Sequence, residues 1–224
     1  MQKIVTIGGG TGHYQLLRGL KNYECDITAI VNMSDDGGST GILRDEYGIL
    51  PPGDVRQCLI ALADENESDV LKYLFNYRFN GEEKHNLGNL ILTSLSEKYG
   101  PVQAINEAGK LLHIRGKVLP VTIDDVTLCA ETNVGVILGE SNISFHKNKD
   151  TKIKNLFYEP QAFLFKDSAD KIRNAQKVII CAGHLYGSIL PNSIVQGMRE
   201  CLAESNSKKI YLCNLFTHDG TYGF

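Results

Sequence analysis

Tryptophan is absent from the 224 residues, and the six cysteines never form a CxxC pair. The absence of CxxC pairs argues against a zinc ribbon or a thioredoxin-like redox centre. The sequence also lacks the HExxH and GxSxG motifs of metalloproteases and serine hydrolases. The formal net charge is −3. The sequence has no long run of Lys and Arg residues, so we expect no nucleic-acid partner.

Long hydrophobic runs are missing too, since no stretch approaches the roughly 18 apolar residues of a membrane helix. The start, MQKIVTIGGG, changes from apolar residues to glycine too early for a signal peptide. Most of the cysteines lie in apolar runs such as VIICAG and IYLCNL, where a reduced thiol packs as a small hydrophobe. We therefore expect a cytoplasmic protein without membrane insertion. The sequence does not decide whether the chain forms a homo-oligomer.

Continuous apolar runs occur at both ends of the chain. KIVTI (Lys3–Ile7) and ITAIV (Ile27–Val31) enclose a segment with helical spacing. Continuous apolar strands joined by a helix indicate a parallel sheet that is covered on both faces. KVIICAG and KKIYLCNL repeat this order near the end of the chain. The predicted fold class is α/β, a single domain with a Rossmann-like, doubly wound, mostly parallel sheet.

Two segments interrupt this predicted sheet. From about residue 54 to 112 the apolar spacing is helical, which predicts an insertion of successive helices, with Asp54 as the first N-cap. From about residue 117 to 158 the pattern becomes that of short strands, and TNVG has the composition of a hairpin turn. This second segment predicts a small β structure beside the sheet.

Three polar or glycine-rich loops are predicted at the carboxyl ends of strands: Gly8–Gly12, Ser34–Gly41 and Ala182–Ser188. Ligands of doubly wound sheets bind there, where the strand order reverses. In GGGTG, glycines allow backbone N–H groups at a helix start to approach an anion. His13 stands where the GxGxxG fingerprint has its third glycine, which argues against NAD or FAD. A tight turn without a ligand is the alternative.

SDDGGSTG places two carboxylates directly after the second predicted strand. Neighbouring side chains on extended backbone point in opposite directions, so Asp35 and Asp36 are expected to have different roles. One would accept hydrogen bonds from sugar hydroxyls or a ring N–H. The other would hold a hydrated Mg²⁺, which needs few carboxylates, or cap the following turn.

Two further stretches supply polar groups. In KHNLGNLIL, His85 and Asn89 are four residues apart and share one face if both are helical. His85 would donate to phosphate or act as a general acid; the alternative is that it only caps the helix. In GHLYGSILPN, which again follows a strand, Ser188 and Asn192 are the expected hydrogen-bond donors.

Together these stretches resemble one family, the gluconeogenesis-factor (YvcK-like) proteins, relatives of the 2-phospho-L-lactate transferases (CofD). The matching pieces run from Ile7 to Asn214 and include IGGGTG, DDGGSTG, PPGDVRQCL, FNYRFNG, HNLGNL, GKVLPVT, GESNI and LYGSILPN. The resemblance implies a cytoplasmic protein that binds UDP-N-acetylglucosamine and is linked to cell shape and growth on gluconeogenic carbon sources. The transferase relatives move a 2-phospholactyl group onto a deazaflavin alcohol with Mg²⁺.

The resemblance also implies a ligand site in which the glycine loop meets a diphosphate and the aspartates meet the base, sugar or metal. The predicted ligand-binding residues are Gly8, Gly9, Gly10, Thr11, Gly12, Asp35, Asp36, Gly37, Ser39, Thr40, His85, Asn89, Gly183, Ser188 and Asn192. Asp35 and Asp36 are also the predicted metal ligands, and no residue is predicted to be catalytic.

Two departures from the family pattern stand out. CAGHLYGS replaces an expected GPGSLYTS, and the chain stops at CNLFTHDGTYGF where relatives continue, so a last helix and strand are expected to be missing. The main hypothesis is a regulator that binds a UDP-sugar and requires no cofactor. The alternative is a Mg²⁺-dependent transferase of a phosphate-linked group.

Overall fold

The computed structural model describes residues 1–65, 68–81, 84–144 and 150–216. The strands in these ranges are β1 (Gln2–Gly8), β2 (Cys25–Val31), β3 (Lys117–Pro120), β4 (Thr127–Thr132), β5 (Gly135–Leu138), β6 (Ile153–Glu159), β7 (Lys177–Ile180) and β8 (Lys208–Tyr211). The helices are α1 (Gly10–Leu20), α2 (Gly38–Tyr47), α3 (Pro52–Leu62), α4 (Asp69–Asn76), α5 (Leu87–Tyr99), α6 (Pro101–Leu111), α7 (Glu140–Ser144), α8 (Lys166–Arg173), α9 (Leu190–Ile194) and α10 (Met198–Glu204). A π-helical turn over Leu185–Ile189 precedes α9.

Five strands form a central parallel sheet in the order β3-β2-β1-β7-β8. The order reverses at β1, because β2 and β3 extend to one side of it and β7 and β8 to the other. β1 and β2 are buried over their last five residues, as their continuous apolar runs predict. The predicted doubly wound α/β fold is confirmed, with its switch point between β1 and β7.

The helical block between β2 and β3 begins earlier than predicted. α2 starts at Gly38, inside the stretch predicted as a loop. α3 starts at Pro52 with Pro51 as its N-cap, so the prediction that Asp54 caps this helix is wrong. Proline suits the first helical position because its missing N–H would have no partner there. Asp54 lies instead in the first turn of α3.

The predicted β segment is divided between two sheets. β3 pairs in parallel with β2 at the edge of the central sheet. β4 and β5 form the predicted hairpin, and β6 pairs with the other side of β4. The end of the predicted strand VGVILGES is helical, because Gly139 adopts a φ of 90° and α7 begins after it.

The connection after β7 is more helical than predicted. The N–H of Ile189 donates to the carbonyl oxygen of His184 at 3.1 Å, which is the five-residue spacing of a π-helical turn. Such turns often mark functional positions. The single helix predicted next is divided in two by Gly197, whose φ is 92°.

His13 is a fully buried polar residue between β1, α1 and α3. Its Nε2 lies 2.8 Å from Thr6 Oγ1, and its Nδ1 lies 3.6 Å from Cys58 Sγ. Burial lowers the pKa of His13 to about 4, although the Gly8 backbone opposes this shift. The residue that replaces the fingerprint glycine is therefore a neutral packing residue.

Two further expectations concern membrane insertion and the end of the chain. Within the described ranges, no helix is long and apolar enough to cross a membrane. The expected loss of a last helix and strand concerns the end of the chain, and residues 217–224 lie outside the described residues.

We expect Gly12→Ala to destabilise the fold, because an added Cβ would lie 2.0 Å from the carbonyl oxygen of Ala182. Overpacking of this kind costs about 1–3 kcal/mol. Gly19 lies in the same helix, and a Cβ added there would meet no atom within 4 Å. Gly19→Ala should therefore stabilise the fold by about 0.4–1 kcal/mol. Urea unfolding of both variants checks the pair, and equal shifts would contradict the close approach.

Candidate functional site

The glycine loop after β1 lies against the first turn of α3. Gly9 is the N-cap of α1, and Gly10 has a φ of 65°. A Cβ on Gly9 would lie 2.3 Å from Asp54 Oδ2 and 3.3 Å from Asn32 Cβ. The backbone N–H of Gly10 is close enough to the Asp54 carboxylate to lower the pKa of that carboxyl. A carboxylate therefore lies at the edge of the loop that was predicted to bind an anion.

Asp54 is a functional candidate that the sequence reasoning missed. Burial raises the pKa of Asp54 to about 7, and the negative charges of Asp35 and Glu140 add to this shift. The N–H of Gly10 and the charge of Arg56 act in the opposite direction. Groups with strongly shifted pKa values cluster at functional sites. The signal was PPGD itself, which places an acid in the first turn of a helix that begins with proline.

Asp35 and Asp36 point to different parts of the site, in agreement with the alternation of extended backbone. Asp35 Oδ1 accepts from the N–H of Gly37 at 3.1 Å, and its Oδ2 faces Gly53 at the start of α3. Asp36 Oδ1 accepts from the N–H of Ser141 at 2.8 Å. Asp35 thus belongs to the region of the glycine loop, whereas Asp36 anchors the start of α7.

Burial raises the pKa of Asp35, and hydrogen bonds from the Gly37 N–H and the Thr40 hydroxyl oppose this rise. Burial also raises the pKa of Glu140, to which the charges of Asp35 and Asp36 contribute. These two carboxylates and those of Asp36 and Asp54 form one coupled acidic group. The charges of Asp35 and Glu140 make ionisation of Asp54 less favourable, and the charges of Asp35 and Asp36 do the same for Glu140.

The acidic group bears on the predicted metal site. Among the described residues, no three His, Cys, Asp or Glu side chains come together as a metal-binding group. Mg²⁺ is commonly held by one or two carboxylates together with substrate phosphates. Because Asp36 is engaged with Ser141, the pair best directed toward the glycine loop is Asp35 with Asp54. The predicted pair of Asp35 and Asp36 stays a prediction.

Ser39 connects the start of α2 with the start of α5. Its Oγ lies 3.1 Å from His85 Nδ1 and accepts from Asn89 Nδ2 at 3.4 Å. Asn89 Oδ1 accepts from Arg56 Nε at 2.9 Å. His85 precedes α5, whose N-cap is Asn86, so the two residues are not both helical and the condition for a shared helix face is not met. Ser39 nevertheless brings both side chains together.

The π-helical turn forms the third side of the site. The carbonyl oxygen of Gly187 accepts from Asn32 Nδ2 at 2.9 Å and from Ser34 Oγ at 3.2 Å. A Cβ on Gly187 would lie 2.0 Å from Glu140 Oε1 and 2.3 Å from Ser144 Oγ, so a larger residue would displace these side chains of α7. The N–H of Gly187 donates to His184 Nδ1 at 3.2 Å. The loops after β1, β2 and β7 therefore meet in one continuous site.

The ends of the glycine loop serve packing. A Cβ on Gly8 would lie 2.9 Å from Cys181 Cβ, and Gly12 lies against Ala182. Both contacts hold β1 and α1 against the end of β7. Thr11, by contrast, is exposed. A side chain at Gly8, Gly9 or Gly12 would meet neighbouring atoms, which explains glycine at these positions. A Cβ at Gly10 would meet no atom within 4 Å.

The remaining predicted residues follow the π-helical turn. A Cβ on Gly183 would lie 3.1 Å from Ser188 Cβ. Asn192 Nδ2 donates to the carbonyl oxygen of Ser188 at 2.7 Å. One of the two N–H groups of its amide is therefore used within the protein, and the donor role predicted for Asn192 stays a prediction. The side-chain carbonyl oxygen has no hydrogen-bond partner among the described residues.

Comparison with known proteins shows which family the chain is similar to. A family model described as 2-phospho-L-lactate transferase CofD matches residues 4–223. The gluconeogenesis factor of Bacillus subtilis is 44% identical over 97% of this chain, which covers 69% of that protein. A relative from Nostoc is 46% identical over 99% of this chain, which covers 49% of it. The chain thus spans from about half to about two thirds of the length of these curated relatives.

Similarity extends to a solved structure. A crystal structure of a Bacillus halodurans protein matches with a TM-score of 0.91 and 41% identity, covering 98% of this chain and 71% of that one. The sequence and structural similarities therefore span nearly all of this chain. The chain accordingly belongs to the gluconeogenesis-factor (YvcK-like) family, a branch of the CofD superfamily.

Proposed function

We propose that the chain is a cytoplasmic regulatory protein that binds a sugar nucleotide of the UDP-N-acetylglucosamine type. The observation that carries this proposal is the meeting of three strand-end loops at the switch point of the sheet. The glycine loop offers backbone N–H groups to a diphosphate. Carboxylates, hydroxyls and amides on the other loops offer partners to the sugar and the base.

Membership of the gluconeogenesis-factor family supports a regulatory role. Relatives from Bacillus subtilis and Halalkalibacterium halodurans carry that name, at 44% and 42% identity. The proposal includes a role in growth on gluconeogenic carbon sources and in cell shape. The site offers groups that bind and orient a ligand, and we assign none of them to a chemical step.

The position of Asp54 makes phosphate binding conditional. The Gly10 N–H, the kind of group that a phosphate would use, lies near the Asp54 carboxylate and lowers its pKa. An ionised Asp54 would repel a diphosphate, whereas a protonated one would donate a hydrogen bond to it. Since the pKa of Asp54 is raised to about 7, both states are accessible near neutral pH.

One observation favours a second candidate, a Mg²⁺-dependent transferase of a phosphate-linked group. Asp35 and Asp54 are coupled beside the glycine loop, and the family model carries the transferase description. A Mg²⁺ ion held by these carboxylates would neutralise phosphate charge. The glycine loop would then orient the phosphates, and Ser39 and Asn89 would position the acceptor.

Gly10→Asp should weaken binding of UDP-N-acetylglucosamine at least tenfold relative to Gly10→Asn. Asn and Asp tolerate the left-handed φ of 65° better than other side chains, and a Cβ at this position meets no atom within 4 Å. The two variants therefore differ mainly in charge beside the glycine loop. Isothermal titration calorimetry measures the affinities, and thermal unfolding checks that both variants fold. Equal affinities would contradict a diphosphate at this loop.

Asp54→Asn should raise the thermal stability more at pH 8 than at pH 5. The pKa of Asp54 is about 7 when folded and about 3.9 when unfolded, so folding takes up a proton between these values. The contribution of Asp54 to stability is full below about pH 4 and is lost as the pH rises through about 7. Asp69→Asn, an exposed first-turn aspartate of α4, is the control. A gain independent of pH would contradict the raised pKa.

The same variant separates the two candidate functions. For a metal-free binding protein, Asp54→Asn should bind UDP-N-acetylglucosamine more tightly than the wild type at pH 8, because a repelling charge is removed. For the transferase, Asp54→Asn should lose Mg²⁺-dependent binding and turnover of a pyrophosphate-linked donor. Calorimetry with Mg²⁺ and with EDTA distinguishes these results.

A further inference from the structure

Asn192 carries a buried acceptor that the described residues do not satisfy. The residue is 3% exposed, and its Oδ1 has no hydrogen-bond partner within the described ranges. Native proteins satisfy nearly all buried polar atoms, so each exception calls for an explanation. An acceptor kept at a cost to stability is a common feature of ligand sites.

The orientation of the Asn192 amide follows from its other contact. Nδ2 donates to the carbonyl oxygen of Ser188 at 2.7 Å. A carbonyl oxygen only accepts, so the opposite orientation would place two oxygens face to face. The amide is therefore fixed with its oxygen turned away from Ser188.

The contact with Ser188 connects Asn192 to the candidate site. Ser188 belongs to the π-helical turn, and its Cβ lies 3.1 Å from a Cβ built on Gly183. The same turn contains Gly187, whose carbonyl oxygen accepts from Asn32 at the end of β2. Asn192 thus supports the wall that joins the loops after β2 and β7.

We propose that Asn192 contacts the bound sugar nucleotide and that its side-chain oxygen accepts a hydrogen bond from the ligand. This inference rests on the proposed function. The shared chemistry is a donor, either the imide N–H of a uracil-type base or a hydroxyl of the sugar. A site built to hydrogen-bond a donor rejects analogues that lack it far more strongly than a purely apolar pocket would. Asn192 is then a specificity-determining residue.

Asn192→Leu tests this proposal because leucine has a similar size and no acceptor. We expect its affinity for UDP-N-acetylglucosamine, measured by calorimetry, to fall at least tenfold. Asn174→Leu is the control for removal of an amide outside the candidate site, since the exposed Asn174 donates through Nδ2 to the carbonyl oxygen of Asp170, four residues earlier, at 2.7 Å. The control should keep wild-type affinity.

Thermal unfolding without ligand separates this role from a structural one. A role of Asn192 in ligand contact predicts that the affinity of Asn192→Leu falls whether or not its stability changes. A structural role predicts lower stability with unchanged affinity, which would overturn the proposal. If the leucine variant does not fold, Asn192→Ala, which also lacks an acceptor, should show the same loss of affinity.

Three ligands identify the donor. If the base supplies it, Asn192→Leu weakens UDP as well as the UDP-sugar, and N3-methyl-UDP binds poorly to the wild type. If the sugar supplies it, only the affinity for the UDP-sugar falls. Equal affinities of variant and wild type for every ligand would overturn the inference alone. Failure of the wild type to bind any of them would overturn the proposed function as well.

Discussion

The close approach of backbone segments at the switch point is the constraint on which the rest of the structure depends. Gly8 and Gly12 lie against the chain after β7, and Gly9 lies against the first turn of α3. Side chains at these positions would hold α1 away from the sheet. Because glycine has no side chain, the loops after β1, β2 and β7 converge. The formation of the site therefore depends first on this close packing, which brings the polar residues of the three loops together.

Electrostatic conflict is the second property of the site. Asp54 lies beside a loop whose N–H groups favour an anion, 2.3 Å from a Cβ built on Gly9, and the charges of Asp35 and Glu140 act on it. Burial and mutual repulsion both favour protonation of such carboxyls. A ligand with phosphates at one end and hydroxyls at the other can satisfy both demands, provided that a proton or a cation neutralises the contact at Asp54.

Much of the sequence pattern corresponds directly to structure. Continuous apolar runs predicted the parallel strands, glycines after β1 predicted a strand-to-helix turn, and TNVG predicted a hairpin, because each signal is local. Element boundaries were predicted less well. α2 begins inside a predicted loop, and α3 begins at Pro52 before the expected cap. The family motifs predicted which loops meet, and the comparisons with relatives confirm the family.

The sequence by itself determined the fold class and the three loops of the candidate site. Tertiary structure alone decided which groups in those loops are close. It placed Asp54 against Gly9 and Gly10, assigned Asp36 to Ser141, and directed the amino group of Asn192 to Ser188. It also gave Asp54 its raised pKa. The physical reason is that burial and charge coupling depend on neighbours distant in sequence, whereas strand and turn signals are carried by adjacent residues.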